Sequence, residues 1–472
     1  MRGIIWFKKD LRTHDNPALF YADQQCSDGV IAVYIIDPFM WKKNNVAAIQ
    51  IEFILRGLEA LKKDLAKIQI PLVIIHAKNT ADIPQALYIL ATQVKADKLF
   101  FNQELEINEA HRDTVVNQFF AKQNISTETF HDQLILPYNA VQTKAGMYFK
   151  VFSAFKREWL KVFNPIQLLP PPRAYARPNI ILSSDIPKTL PNIDSKINPQ
   201  LWPAGEKIAH KRLHQFIEED LFSYDKLRDF PTLTATSQLS PYLAVGMISA
   251  RTCFNVALEA NAFELDTGNK GALTWMTELI WREFYRSILI AVPRICMDKA
   301  YKLATEKLPW RYDKHLLQKW QQGNTGFPII DAAMRQLNTT GWMHNRLRMI
   351  VAMFLSKNLF LDWRLGETYF ATHLIDYDFA SNNGGWQWSA STGTDAVPYF
   401  RIFNPTTQSE RFDPEGQFIR QYCPELTGFD RHSIHAPHQR LPLLAAQANY
   451  PKPIIDYVKS RQQALAAFKK LS

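Results

Sequence analysis

The first 130 residues alternate short β-rich apolar runs with helical patterns, and that alternation leaves few folds open. The runs are GIIWF (3–7), VIAVYIID (30–37), PLVIIH (71–76) and KLFF (98–101). Between them lie helical periods such as 46–68, where Ile51, Ile54, Leu55, Leu58, Leu61 and Leu65 recur at three- and four-residue spacing. Alternating strand and helix implies a parallel, doubly wound sheet. No GxGxxG follows the first run, so a dinucleotide held in the Rossmann manner is not expected.

The pattern then changes twice. Residues 131–203 carry Pro170, Pro171, Pro172, Pro178, Pro187, Pro191, Pro199 and Pro203, with helical periodicity only at 149–162. Proline forbids long helices, so this stretch is expected to be a connector running along the surface. From 204 onward, helices are expected at 204–220, 241–259, 271–291, 313–322, 328–338, 341–360, 366–374 and 452–470. The expected organisation is therefore an α/β domain (1–130), a connector (131–203) and an all-α domain (204–472).

The chain has 472 residues, and no segment reaches the ~18 uninterrupted apolar residues of a membrane span. Its first residues, MRGIIWFKKDLR, read as a strand followed by charges, not as a signal peptide. A soluble, cytoplasmic protein is the expectation. Cys26, Cys253, Cys296 and Cys423 form no CxxC pair and HExxH is absent, so no metal site is expected. The net charge of +10 suits a polyanionic partner or a merely basic surface. Nine of the 12 tryptophans lie between Trp202 and Trp388, so the second half carries the indoles.

Four segments concentrate chemistry. In MTELIWREFYRSIL (276–289), Glu278, Trp281 and Arg282 share a helical face, as a ligand surface or as an ion pair beside a packed indole. In GWMHNRLRMIVAMFLSKNLFLDW (341–363), Asn345 and Met349 share a face, with Arg346 and Arg348 close by. These polar groups cap the helix or hold phosphates at its N-terminal end. In TATSQLSPYLAVG (234–246), Thr236, Ser237 and Ser240 precede a helix with Pro241 at its first position, as N-caps or as partners of a diphosphate. In HLIDYDFASNNGGWQWSASTGTDAVPYFRIFNP (373–405), the paired glycines of NNGGWQWS mark a turn or a close backbone approach. Asp376 and Asp378 sit two apart, where a turn can aim both carboxylates at one ligand.

These motifs resemble the photolyase/cryptochrome family, most closely the bacterial class I cyclobutane pyrimidine dimer photolyases. WFKKDLRTHDNPAL is similar to the family's N-terminal signature. ELIWREFYR, TGFPIIDAAMRQLNTTGWMHNRLRM and NNGGWQWSASTGTDAVPYFRIFNP are similar to its C-terminal core. The resemblance covers nearly the whole chain.

It implies an α/β antenna domain, a helical domain holding a bent FAD, and repair of cyclobutane pyrimidine dimers in DNA by an electron from excited, fully reduced FADH⁻. By motif position, Tyr224, Thr236, Ser237, Gln238, Leu239, Ser240, Trp275, Asp376, Tyr377 and Asp378 would bind the FAD, with Asn382 beside flavin N5. Trp386, Trp363 and Trp310 would relay electrons from the surface. Trp281 and Trp388 would stack on a flipped dimer, Glu278 and Asn345 would hydrogen-bond it, and Met349 would pack on it. Arg228, Arg346 and Arg401 would contact phosphates, with Arg282 on the same DNA-facing side as Trp281. Glu278 would also stabilise negative charge developing on the dimer. Asn108, Glu109 and Cys296 match positions that bind 5,10-methenyltetrahydrofolate, the expected antenna, with a deazaflavin or an empty pocket as alternatives. Asn44 and Met297 depart from that pattern, standing where a His and a Lys are common. A cryptochrome-type blue-light receptor and a six-four photoproduct photolyase are the alternatives. A chain ending at 472, Asn382, and Asn345 with Met349 in place of histidines favour dimer repair; a monomer is the expected form.

Overall fold

The computed structural model describes residues 1–173, 184–191 and 193–471; Pro178 and the other residues of 174–183 lie outside that range. Contacts group the chain into two compact units, one of residues 1–222 with 237–291, the other of 223–236 with 292–472.

The first unit is built on a five-stranded parallel sheet in the order β3-β2-β1-β4-β5. Its strands are β1 (Gly3–Phe7), β2 (Val30–Ile36), β3 (Leu72–His76), β4 (Lys98–Asn102) and β5 (Ser126–Phe130). Helices α1 (Pro17–Gln25), α2 (Ala48–Lys67), α3 (Ile83–Val94) and α4 (Ile107–Lys122) make the crossovers. Every residue of β1 and β2 is buried, as continuous apolar strands between helical layers should be. Strand β5 was not expected. Its sequence, STETF, has no apolar run, because an edge strand has one neighbour and stays half-exposed.

Helices α5 (Phe152–Val162), α6 (Glu206–Glu219), α7 (Ala250–Ala260) and α8 (Lys270–Ala291) complete this unit. The single helix expected over 241–259 is broken into Ser240–Ala244 and α7. Gly246 makes the break: its φ is +71°, and a Cβ there would lie 2.1 Å from the carbonyl oxygen of Lys9.

The second unit is helical. Its main elements are α9 (Pro328–Thr340), α10 (Asn345–Met353), α11 (Trp363–His373), α12 (Phe379–Ser389) and α13 (Tyr457–Lys469). The helix expected over 341–360 starts only at Asn345, where His344 Nδ1 accepts the N–H of Arg346 at 3.2 Å. It ends in a π-helical turn, Phe354–Asn358. Trp320, Trp363, Trp386, Phe370, Leu347 and Leu374 share one apolar core.

NNGGWQWS is not a turn: it forms most of α12. In a helix, side chains two apart diverge by about 200°, not onto one face as in a strand. Accordingly Trp386 is buried and Trp388 only half-buried.

Candidate functional site

In the second unit, α12 and α11 build one polar cluster inside the apolar core. The Asn382 side-chain N–H donates to the backbone carbonyl of Glu367 at 3.0 Å. A carbonyl can only accept, so this bond fixes the amide: Nδ2 faces Glu367 and Oδ1 is turned away as an acceptor. Asn383 donates to the Glu367 carboxylate at 2.8 Å, and Gln387 donates to Asn383 at 2.8 Å. The chain closes where Tyr301 N–H donates to Gln387 at 2.7 Å. Burial raises the Glu367 carboxyl to about 7, and the Asn383 donor opposes that shift. Beyond its chain neighbours and the backbone of its own helix, a Cβ on Gly385 would meet no atom of the described residues within 4 Å.

The two aspartates take separate roles. Asp378 caps α12, its Oδ1 accepting Ser381 N–H at 3.0 Å. Asp376 is buried and its Oδ2 accepts from Arg348 at 2.7 Å. Its Oδ1 is buried with no partner among the described residues. A lone buried acceptor is costly unless a donor arrives.

Trp386 lies against α11 at Gly366 and meets Trp320 and Phe370 edge-on, with ring centroids at 6.0 and 5.1 Å. Trp363 is wholly buried at the start of α11. The indole N–H groups of Trp363 and Trp386 are buried without acceptors among the described residues. Trp310 is half-buried and packs on Phe360 with centroids at 5.0 Å.

Around α10, Asn345 is exposed and Met349 half-buried. Arg346 forms a two-pronged pair with Asp229, at 3.2 and 2.8 Å, and lies over Phe412. Arg228 lies over the ring of Tyr224 at 5.5 Å. Arg401 is exposed, and the backbone of its loop is held from inside. Lys357, buried in the π-helical turn, donates to the Arg401 carbonyl at 3.1 Å. Burial and the positive charges of Arg401 and Lys302 lower its ammonium to about 7. Thr236 is half-buried in this unit, and Cys296 is half-buried in a 3₁₀ turn, Pro293–Met297.

In the first unit, α8 presents Glu278, Trp281 and Arg282. Trp281 stacks on Phe152 of α5, with centroids 3.5 Å apart and planes 8° from parallel. Arg282 donates to the carbonyl of Gln133. Lys156, also on α5, donates to Thr277 at 2.9 Å. Burial lowers its ammonium and nearby Glu278 opposes that shift. Trp275 is buried on Phe216. The short helix Ser240–Ala244 has Leu239 at its N-cap and no side-chain capping bond. The capping role considered for Ser237 and Thr236 is therefore not used there. Gln238 has φ +47° and accepts from Arg212 at 2.6 Å.

On α4, buried Glu109 accepts from Asn44 at 2.6 Å, and Asn108 accepts from Lys43 at 3.5 Å. Burial raises the Glu109 carboxyl. Asn44 therefore supplies a donor to Glu109, while Met297 is exposed.

Glu367, Asn383, Gln387, Lys357, Phe152 and Lys156 escaped the sequence reading. Nothing local distinguishes Glu367 or Lys357 from a solvated helix residue; only burial does. Phe152 and Lys156 lay within the one periodic stretch of the expected connector.

In the second unit the residues present fit FAD. Asp376 Oδ1 lacks a donor of the kind that a ribityl hydroxyl or a flavin N–H provides. Asn382 offers an acceptor, and the face at Gly385 is open.

Comparison with known proteins bears on the same segments. The profile of the "FAD binding domain of DNA photolyase" matches residues 275–470, and that of "DNA photolyase" matches residues 3–175. The deoxyribodipyrimidine photo-lyase of Escherichia coli is 42% identical over 469 residues, 98% of each chain. That of Vibrio cholerae is 41% identical, covering 99% of each. Among solved structures, a class III photolyase from Agrobacterium tumefaciens superposes with a TM-score of 0.90 at 33% identity, covering 100% of this chain and 97% of its own. An archaeal photolyase from Sulfolobus tokodaii, solved with two FAD molecules, gives 0.82 at 30% identity, with full coverage of both. A Synechocystis cryptochrome gives 0.89 at 26% identity, covering 99% of each.

Proposed function

Because this chain belongs to the photolyase/cryptochrome family, we propose that it is a light-driven deoxyribodipyrimidine photo-lyase that splits cyclobutane pyrimidine dimers in DNA. The observation that carries this reading is identity above 40% to photo-lyases along the whole chain. The cryptochrome is more distant, at 26%.

When bound, fully reduced FAD (FADH⁻) supplies the photoexcited electron donor for ring opening and the acceptor for the returning electron. Tyr224, Thr236, Ser237, Gln238, Leu239, Ser240, Trp275, Asp376, Tyr377 and Asp378 would hold it. Asp376 Oδ1 would gain its missing donor. Asn382 Oδ1, fixed by the Glu367 carbonyl, would accept the N–H at flavin N5, which favours the reduced, protonated ring. Trp386, Trp363 and Trp310 would carry electrons inward, and indoles held in a packed core lose little energy to rearrangement on oxidation.

Trp281 and Trp388 would stack on the extruded dimer. Flipping a damaged pair costs a few kcal/mol, and stacking returns about 1–3 kcal/mol per base. The stack on Phe152 already covers one face of Trp281 and holds the ring rigid, leaving a single face for a base. Glu278 and Asn345 would bond the pyrimidine edges, Met349 would pack on them, and Arg228, Arg282, Arg346 and Arg401 would position the strand. The antenna reading remains 5,10-methenyltetrahydrofolate, with Asn108, Glu109 and Cys296 as its contacts, and Asn44 and Met297 as the departures from that pattern. We read the working form as a cytoplasmic monomer; among the described residues, no helix is long and apolar enough to cross a membrane.

The test is blue-light repair of an oligonucleotide carrying one thymine dimer, with a six-four lesion as control. Repair of the dimer alone is expected. Repair of the six-four lesion alone, or of neither by flavin-loaded protein, would overturn the reading.

A further inference from the structure

We propose that His14, Glu206 and His210, all in the first unit, form a binding site for one divalent transition-metal ion of the zinc class. The proposal is independent of the repair reading. Glu206 is the first residue of α6, and His210 follows one turn later on the same face. His14 comes from the loop after β1. His14 Nδ1 lies 2.9 Å from Glu206 Oε1, and His210 Nε2 lies 3.9 Å from the same oxygen. The three candidate donor atoms all lie within 4.8 Å of one another.

Two imidazoles and a carboxylate are a donor set that suits zinc and its neighbours, not magnesium or calcium. Around a tetrahedral ion with bonds of about 2.0–2.1 Å, donor atoms stand roughly 3.3 Å apart. The cluster must therefore tighten by about 1.5 Å at its widest, and rotation of one imidazole suffices. His14 is the ring able to move, since its side chain is 54% exposed. Glu206 is already aimed. Its Oε2 accepts Thr13 N–H and the Thr13 hydroxyl, both at 2.8 Å, and its Oε1 accepts His14 N–H at 2.8 Å. Backbone donors of this kind orient a ligating carboxylate as outer partners do in metal sites.

His210 is half-buried, and the ion would take the lone pair of each neutral imidazole. With three protein ligands, water fills the fourth position, on the solvent side where His14 is exposed. The bound ion would tie the loop after β1 to the start of α6. It would stabilise the first unit through mass action, because the unfolded chain does not hold the three ligands together.

The test uses full-length, chelator-stripped protein. Zn²⁺ is titrated against a chromophoric chelator, and Co²⁺ is added to separate samples to read ligand-field bands. One equivalent should bind, with visible Co²⁺ bands, and Zn²⁺ should raise the melting temperature. His210→Ala and His14→Ala should each loosen binding by at least about tenfold, the scale seen even for outer-sphere changes, and abolish the thermal shift. His210→Gln serves as a second variant should the alanine protein fold poorly. Substoichiometric binding without Co²⁺ bands, or variants that bind like the parent, would mean an ion pair only and overturn the proposal. Neither result bears on dimer repair.

Discussion

Replacing Gly366 by alanine puts a methyl group where the Trp386 ring already lies. The added Cβ would stand 2.0 Å from Cη2, 2.5 Å from Cζ3 and 2.7 Å from Cζ2, against ordinary contacts of 3.4–4 Å. Ring or helix must therefore retreat by about 1.4 Å, the difference between those contacts. The ring has nowhere to go: it is 2% exposed and bounded by Trp320 and Phe370. Overpacking of a dense core costs about 1–3 kcal/mol, and this overlap belongs at the upper end. Alanine returns about 0.5–1 kcal/mol of helix propensity. The expected net loss is about 2 kcal/mol, read as a lower denaturant midpoint at unchanged slope. The displaced indole should also slow photoreduction of oxidised flavin, while chemically pre-reduced enzyme keeps its repair yield. A Gly366→Ala protein as stable as the parent would refute the packing argument, and a destabilised one with the parent's photoreduction rate would remove Trp386 from the relay.

Trp310→Phe should block photoreduction of oxidised flavin and spare repair by pre-reduced enzyme, as followed by flavin absorbance and oligonucleotide repair in parallel; equal loss of both would remove Trp310 from the relay. Glu278→Ala should lower the repair yield per absorbed photon more than it weakens binding of a dimer-containing oligonucleotide, and the opposite ratio would make Glu278 a binding residue only. His344 is held neutral, its pKa lowered by burial to about 4 from 6.5. The unfolded chain then binds more protons below pH 6.5, so stability falls as pH drops from about 6.5 towards 4, by about 3 kcal/mol at most. Protonation also removes the Nδ1 acceptor that caps α10. His344→Asn, which keeps a capping acceptor, should flatten that acid slope in pH-dependent unfolding; an unchanged slope would place the titration elsewhere.

The parallel sheet was legible because β1 to β4 are apolar runs separated by helical periods, a pattern set residue by residue. Strand β5 was not, because STETF looks like any polar loop until it pairs with Phe100 and its neighbours. NNGGWQWS misled for the opposite reason. Two glycines and two asparagines are poor helix formers, yet the Asp378 cap and the Glu367 contacts hold them in α12. Tertiary partners overrode local propensity. Long motifs singled out Asn382, Asp376, Trp386 and Glu278 as candidates, but not what orients them.

The order of amino acids alone determined the α/β and all-α halves, the crowding of indoles in the second, and the family to which the chain belongs. Those features are local patterns or exact letters, and neither needs a neighbour distant in sequence. Only the tertiary structure decided which way the Asn382 amide points, that Glu367 and Lys357 are buried near their titration points, and that His14 meets Glu206 and His210. Each depends on groups far apart in sequence brought together out of water, where desolvation and a single hydrogen bond set both orientation and charge.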